Sequence, residues 1–279
     1  MLHEISRFAR PAADTSEREQ SEGGTVLTTL VRGLEVLQEV AADRGNATAR
    51  SIGDDLGLKP GTIYHILRTL RATGHVVRLK GGRYDVGPNS LSLGRSLQQS
   101  TAVPPELEML LARLHNKTHA TAYLSGWHHG KILLKQSIEM EGSVRIDRLA
   151  VGYTYNMHAR ASCRSVLAFL AEADIEKMFR GVALSKLTPH TVNDYDDLLV
   201  ELANTRNRGY ALEMGEFQEG VGCISAPYFD SPMSPQGSFT ISIDLSRLRQ
   251  DQMPLIHAVR ETAIMATNYY AKQRGSMLR

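Results

Sequence analysis

The chain has 279 residues, 42% of them hydrophobic and 22% charged, with a formal net charge of +2. This length and composition are typical of a folded protein with two domains rather than of a disordered chain. The sequence has no long apolar run, no apolar core of a signal peptide and no cysteine framework. These features argue against a membrane protein, an exported protein and a disulfide-stabilised protein, respectively. We therefore expect a cytoplasmic protein with no membrane partner.

The charge is unevenly distributed along the chain. Residues 1–24 carry three basic and five acidic residues, and we expect them to form a disordered lead-in. Residues 56–84 contain six basic residues and no acidic one. Such a run is often only a solvated face, but it also suits a polyanion, because neutralising phosphates releases counterions. The apolar pattern beneath these charges favours the second interpretation.

Three helices are predicted, two before this basic region and the third within it. Apolar residues recur with helical period over 27–41, which predicts the first helix. The second follows, with Thr48 as its N-cap and Gly57 as its stop. The third begins at Pro60, which suits a first helical turn. The apolar stripe of the first helix consists of Leu27, Leu30, Val31, Leu34, Leu37, Val40 and Ala41, and that of the third of Ile63, Ile66, Leu67 and Leu70.

Two helices joined by a short turn, the second with a polar and basic outer face, form the plan of a helix-turn-helix. The segment HVVRLKGGRYDVG then predicts a two-stranded hairpin with a basic tip, which makes the module a winged helix. A winged helix can serve protein interactions alone, but the acid-free stretch favours double-stranded DNA. We therefore expect a DNA-binding domain at 25–86. Its expected DNA contacts are Lys59, Gly61, Thr62, Tyr64, His65, Arg68, Arg71, Lys80 and Arg83.

The N-terminal pattern resembles the DNA-binding domain of the IclR family of bacterial transcriptional regulators. The resemblance includes GLKPGTIYHILRTL at the third helix and RYDVGPNSLSLG at the end of the wing, where the family shows RYxLGxxxLxLG. KPGT stands where the family usually has PKST, so a serine hydroxyl is lost at Gly61. This departure affects one phosphate contact and not the module.

The resemblance continues downstream and covers about residues 25–250. MHARASCRSVLAFL is similar to the family's HATALGKALLAFL, and GVGCISAPYFD and SFTISIDLSRL also have counterparts. The resemblance implies a linker helix at 87–103, an effector-binding domain of GAF/PAS-like architecture at 104–274, and dimers or tetramers that bind operator DNA. The family contains both repressors and activators. We expect a ligand-responsive regulator, with repressor as the preferred role, and we expect no cofactor and no enzymatic activity.

The C-terminal region has its own pattern. The segment 103–118 predicts a helix, ATAYLSGWHHGKILLKQSI predicts two strands, and SVRIDRLA predicts a third strand. Two short helices and an amphipathic helix follow, then strands in GVGCISAPYFD and GSFTISIDL and one closing helix. Strands, a helical insertion, further strands and a final helix predict an α+β domain with an antiparallel sheet.

Candidate effector contacts combine this pattern with the resemblance. Thr240 and Ser242 share a strand face, and with Cys223 they stand where some family members line their effector pocket. Arg160 could bind an effector carboxylate bidentately. Met214 stands where the family often has an acid, and with Phe217, Trp127 and Tyr228 it favours an apolar or aromatic acid. The expected effector contacts are His158, Ala159, Arg160, Cys163, Cys223, Thr240 and Ser242.

Two alternatives stay open besides a sensor that does not bind DNA. Cys163 with His158 could form the nucleophile and base of a hydrolase, although no nucleophile-elbow or cysteine-protease signature accompanies them. Zinc could bind in the same region, with histidines as ligands, although no carboxylate lies at ligand spacing and no CxxC is present. The histidines considered are His115, His119, His128 and His129. A regulator of a partly palindromic operator, without a metal, is the preferred interpretation.

Overall fold

The computed structural model describes residues 26–100, 102–128, 130–140, 142 and 154–277. The chain divides into two compact units, Met1–Ala102 and Val103–Arg279. The predicted lead-in at 1–24 lies outside the described residues, and the finer domain boundaries stay predictions.

The N-terminal unit begins with three helices, α1 (Thr28–Ala42), α2 (Ala49–Leu56) and α3 (Pro60–Ala72). The Thr48 side chain accepts a hydrogen bond from Ser51 N at 3.1 Å, and Ser51 Oγ accepts one from Thr48 N at 3.0 Å. This reciprocal pair is a capping box, which satisfies N–H groups that a helix start leaves without partners. Gly57 ends α2 in the left-handed region at φ 61°.

A small sheet forms the wing. Its strands are β1 (Ala47–Thr48), β2 (Val76–Arg78) and β3 (Arg83–Val86), in the antiparallel order β1-β3-β2. A single 3₁₀ turn at Lys80–Gly82 joins β2 to β3, with Gly81 and Gly82 both at φ 75°. The predicted hairpin therefore has a third strand, because the residues before α2 pair with β3.

The core of the N-terminal unit consists of apolar side chains from all three helices and the sheet, including Val36, Val40, Ile63, Leu67 and Tyr84. Of the seven residues in the stripe predicted for α1, Leu37 and Val40 pack in this core and the other five do not. Leu27, Leu30 and Leu34 are each more than half exposed. The helical period of α1 was correct, but only its second half is covered within the unit. Helix α4 (Pro88–Ser100) follows the wing.

The C-terminal unit contains a five-stranded antiparallel sheet in the order β5-β4-β8-β7-β6. The strands are β4 (Thr121–His128), β5 (Lys131–Ile138), β6 (Ala211–Met214), β7 (Val221–Ser231) and β8 (Ser234–Asp244). The α+β class with an antiparallel sheet is confirmed. Strand β6 was not predicted, and the strand predicted in SVRIDRLA lies outside the described residues.

Helices cover both faces of this sheet. Helix α5 (Pro105–Thr118) and the long α10 (Gln252–Met277) contribute to the largest core with alternate sheet residues such as Leu124 and Ile241. A second core joins α6 (Ala161–Leu167), α7 (Glu172–Phe179) and α8 (Tyr195–Arg208). The predicted closing helix is two helices, since α9 (Leu245–Gln250) ends before α10 begins. No helix in the described part of the chain is long and apolar enough to cross a membrane.

Candidate effector cavity and DNA-binding surface

A cavity lies between the sheet and the start of α6. It combines an aromatic and aliphatic part with hydroxyls, a thiol, a guanidinium and a carboxyl. Seven chain segments contribute, so residues more than a hundred positions apart meet here. Its lining residues are Tyr123, Ser125, Leu134, Arg160, Ala161, Ser162, Glu213, Phe217, Cys223 and Thr240.

The strand register explains why the sheet residues meet. Tyr123 lies opposite Thr240 on β8, and Cys223 on β7 lies opposite Glu213 on β6. Directly paired residues of antiparallel strands point to the same face. Ser125 lies two positions beyond Tyr123 and shares that face because side chains alternate along a strand.

Arg160 brings a positive charge into the cavity wall. It is the N-cap residue of α6 in extended conformation, and it is only 4% exposed. Its Nη2 donates a hydrogen bond to the carbonyl of Ile132 at 3.1 Å. A buried guanidinium with a fixed orientation is suited to a planar anion such as a carboxylate.

Glu213 is the carboxyl of the cavity and is 1% exposed. Its Oε1 accepts hydrogen bonds from Glu216 N at 2.6 Å and Phe217 N at 3.0 Å. Burial raises the pKa of Glu213, while its hydrogen bonds with Cys223 and Phe217 N and the charge of Arg164 act in the opposite direction. Glu213 thus fixes the loop that carries Phe217 into the cavity.

Arg164 supports this loop from beneath. The side chain is completely buried; Nη1 forms an ion pair with Glu216, and Nη2 donates to the carbonyl of Leu212 at 2.8 Å. The hydroxyl of Thr188 donates to the carbonyl of Gly215 at 2.8 Å. These contacts hold both ends of the turn that follows β6.

Hydroxyl groups beside the cavity form a chain of three and a separate pair. Thr240 Oγ1 donates to Ser225 Oγ at 2.8 Å, and Ser225 Oγ lies 2.9 Å from Ser165 Oγ on α6. Tyr123 Oη lies 3.1 Å from Ser242 Oγ. Each buried hydroxyl of this chain has a polar partner, which burial requires. The chain fixes the cavity wall to α6.

The structure places three of the seven predicted effector residues in the cavity wall and four outside it. Arg160, Cys223 and Thr240 line the cavity. Ser242 is fully buried and does not line the cavity; its hydroxyl contacts Tyr123, which does. Contact of the first three with an effector stays a prediction.

His158, Ala159 and Cys163 do not line the cavity. His158 Nε2 donates to the carbonyl of Ser185 at 2.9 Å, so this ring nitrogen is not free to accept a proton from Cys163. Cys163 is packed in the core between α6 and α8, and Ala159 is fully buried. Proximity in sequence suggested one wall for this stretch, but the chain turns into α6 and divides its side chains between cavity and core.

Of the other residues expected near the effector, one lines the cavity and three do not. Phe217 lines the cavity, while Tyr228 belongs to the core beneath α10, Met214 packs against that core and Trp127 packs against the core of α6 to α8. The carboxyl of the cavity is Glu213, one position before Met214, and sequence reasoning missed it. Glu213 lies two positions after Ala211 and shares its buried face on β6, a strand that was not predicted.

The catalytic alternative gains no support from this geometry. Burial raises the pKa of Cys163, although the nearby Arg160 guanidinium acts in the opposite direction. An activated nucleophile needs the thiolate, which a lowered pKa would supply. For the zinc alternative, no group of three or more potential metal ligands occurs within the described ranges, and His129 lies outside them.

The predicted DNA contacts lie in the N-terminal unit. Tyr64, Arg68 and Arg71 follow one face of α3 at spacings of four and three, and all are exposed. His65, Gly61 and Lys59 are exposed and Thr62 is half-buried near the start of the same helix. Lys80 and Arg83 are exposed on the wing, where Arg83 Nη1 lies 3.4 Å from Asn46 Oδ1. Their contacts with DNA stay predictions.

Both units match family models. The C-terminal domain of the bacterial transcriptional regulator IclR matches residues 97–266. The IclR helix-turn-helix domain matches residues 29–80. Together the two models cover most of the sequence-predicted winged helix and most of the effector unit.

Individual relatives agree with these models. The transcriptional repressor IclR of Escherichia coli (strain K12) is 27% identical over 81% of this chain and 83% of its own. The regulator BhcR of Paracoccus denitrificans (strain Pd 1222) is 27% identical over 99% of this chain and 100% of its own. An IclR homologue from Microbacterium hydrocarbonoxydans, solved with 4-hydroxybenzoate, has a TM-score of 0.68 at 21% identity, covering 86% of this chain and 98% of that one, which shows a shared fold. The chain therefore belongs to the IclR family of bacterial transcriptional regulators, in which a helix-turn-helix domain binds DNA and a C-terminal domain binds a small-molecule effector.

Proposed function

We propose that this protein is a repressor whose operator affinity is controlled by a small organic acid bound in the C-terminal cavity, with the acid's carboxylate on Arg160. The observation that carries the proposal is the buried guanidinium of Arg160 in the wall of a cavity that also contains apolar surface. An anion is the complement of a buried guanidinium. The 4-hydroxybenzoate held by the Microbacterium homologue belongs to the same chemical class.

The rest of the cavity favours an acid with a short apolar or aromatic body. Leu134 and Phe217 supply the apolar surface, and the hydroxyls of Tyr123, Ser125 and Thr240 supply polar contacts. A few polar groups on a mostly apolar wall are typical of small-molecule sites. A hydroxylated acid would use both kinds of surface.

On the DNA side, we assign base-edge contacts to the exposed face of α3 and phosphate contacts to the wing. The side chains of Tyr64, His65 and Arg68 extend from the part of α3 that would enter the major groove. Lys80 and Arg83, on the wing, are assigned to the DNA phosphate backbone. The uncovered row of Leu27, Leu30 and Leu34 on α1 suits a second copy of this chain, because monomers seldom expose such a row. A two-fold dimer would match a partly palindromic operator.

Regulation then follows from linkage. An effector that binds the DNA-free state more tightly than the DNA-bound state lowers operator affinity by the ratio of its two affinities. Repression is proposed because relatives such as the IclR protein of Escherichia coli are named repressors.

The test is binding of four acids, namely benzoate, 4-hydroxybenzoate, propanoate and 2-hydroxypropanoate, each beside its amide. Thermal shift identifies those that stabilise the folded protein, and calorimetry gives Kd. At least one acid should bind while its amide does not. Arg160→Gln should weaken that acid about 10- to 100-fold, since a hydrogen bond to a charged group is lost. Arg180→Gln, an exposed arginine on the same unit, is the matched control. Equal affinity of the wild type and Arg160→Gln would refute the assignment.

A further inference from the structure

We propose that Glu213 takes up a proton when a carboxylate effector binds, so that the protein binds the acid together with one proton. The proposal rests on the proposed function, because it concerns the same cavity and an anionic effector. Its consequence is that the regulator responds to the acid more strongly at lower pH.

The charges that line the cavity lead to this conclusion. Among the described lining residues, Arg160 and Glu213 are the charged ones, with opposite signs. An ionised Glu213 balances Arg160 before the effector arrives. An effector carboxylate then brings a second negative charge into the same buried space, where repulsion is weakly screened. Two carboxylates that share a site cannot both stay ionised without cost, and the pKa of one of them rises.

The hydrogen bonds of Glu213 indicate where the proton goes. Oε1 already accepts two backbone N–H groups, from Glu216 and Phe217. An oxygen that accepts two N–H groups is held as an acceptor. The proton from solvent therefore adds to Oε2, and the resulting O–H can donate a hydrogen bond to the effector carboxylate. The effector is then bound by one guanidinium and one carboxylic acid.

Other groups around Glu213 do not take over this role. Arg164, from α6, is committed to Glu216, the acid next to Glu213 on the loop. Cys223, from β7, faces Glu213, and burial raises the pKa of its thiol, so it stays neutral near pH 7. Tyr123 on β4 is a phenol on the same wall. Burial lowers the pKa of His158, which lies beyond the cavity and is neutral in the same range.

Burial supports the choice of Glu213 because it raises the pKa of this carboxyl before any effector is present. A second negative charge raises it further. Between the effector-free and effector-bound pKa values, affinity should fall about tenfold for each pH unit as pH rises. Above about pH 6 the free acid is itself fully ionised, so its own titration does not contribute.

The experiment measures the Kd of the tightest of the four acids by calorimetry at intervals from about pH 6 to about pH 8.5. Where both compounds buffer, the measurement is repeated in phosphate and in Tris, whose ionisation enthalpies differ. The wild type should lose affinity as pH rises, and the difference between buffers should correspond to uptake of up to one proton. Binding heats that do not depend on the buffer, together with a flat pH profile, would overturn the proposal.

The variant Glu213→Gln tests whether Glu213, rather than another group, takes up the proton. Its amide oxygen can still accept the two backbone N–H groups, and its NH₂ stands where the proposed O–H would be. This variant should bind the acid with an affinity near that of the wild type at low pH, and without dependence on pH or buffer. Glu219→Gln removes an exposed charge from the same loop and should keep the wild-type slope. A slope that persists in Glu213→Gln would assign the proton elsewhere.

The two proposals fail in different ways. If none of the four acids binds at any pH, the carboxylate assignment on Arg160 is wrong and this inference falls with it. If an acid binds through Arg160 with a flat pH profile, only the proton uptake is wrong. The buffer comparison on the wild type decides this even if Glu213→Gln does not fold.

Discussion

The two functional regions of this protein place their charges in opposite environments. On α3 and the wing, the cations are exposed and follow one another within 25 residues, from Lys59 to Arg83. In the C-terminal unit, Arg160 and Arg164 of α6 and Glu213 of β6 are buried and come from two segments that are distant in sequence. A surface that attracts a polyanion needs charge and little else, whereas a cavity that selects a small anion must hold its charge in place by contacts that are distant in sequence.

This difference explains what sequence could predict. The helical period, the N-cap at Thr48 and the basic outer face of α3 are local patterns, and the helix-turn-helix was found from them. Cys223 and Thr240 were proposed because related sequences mark them, and Arg160 because its charge was unexpected there. Tyr123, Ser125 and Glu213 were missed.

The missed residues needed the strand register. Strand β6 is only four residues long and was not predicted, so nothing indicated that Glu213 would lie opposite Cys223. The exposure of most of the α1 stripe was not predicted for a related reason. Period identifies an apolar face, but it does not say whether the same chain covers that face.

The largest expected effect tests the buried side of the comparison. Arg164→Met leaves the mostly buried Glu216 without its ion-pair partner, and breaking a buried pair in this way costs about 3–5 kcal/mol. Denaturant unfolding, followed by the fluorescence of the single tryptophan, Trp127, should show this loss in the C-terminal unit. Arg180→Met, which removes an exposed pair with Glu176, should change stability by less than about 1 kcal/mol. Equal losses of stability in Arg164→Met and Arg180→Met would show that the buried and the exposed ion pair contribute equally.

For the exposed cations of the DNA-binding surface, we expect an effect on DNA binding and none on the stability of the C-terminal unit. Arg68→Ala should leave the Trp127 unfolding transition unchanged because the side chain is exposed and lies in the other unit. It should weaken operator binding by about 1–3 kcal/mol if it contacts a base, or reduce the salt dependence by about one ion if it contacts a phosphate. Fluorescence anisotropy with labelled DNA at several salt concentrations distinguishes these cases. Arg180→Ala, with the same change in net charge, should bind as the wild type does, and loss of binding in both variants would point to net charge alone.

The buried carboxyl should also make stability depend on pH without any effector. Burial raises the pKa of folded Glu213 above its unfolded value, so the folded state binds more protons between the two values. Stability is then lost as pH rises from the ordinary glutamate range through the folded pKa, by at most about 1.4 kcal/mol per pH unit. Measured by Trp127 fluorescence, the stability of the wild type relative to Glu213→Gln should fall as pH rises. A relative stability that rises with pH would mean that the hydrogen bonds to the carboxylate outweigh its burial.

The smallest expected effect belongs to a local contact in the N-terminal unit. Thr48→Ala removes the acceptor for Ser51 N at the start of α2, and loss of such an N-cap costs about 1 kcal/mol. Calorimetry should show this loss in the transition of the N-terminal unit, while the Trp127 signal stays in place. Thr69→Ala, in the exposed middle of α3, is the matched control, since its hydroxyl bonds only to the carbonyl of His65 within the helix. Because the cap is built from residues three positions apart, its loss should stay local. A shift of the Trp127 transition in Thr48→Ala would show that the two units unfold together, and the contrast between local and distant contacts would then not describe how this protein loses its structure.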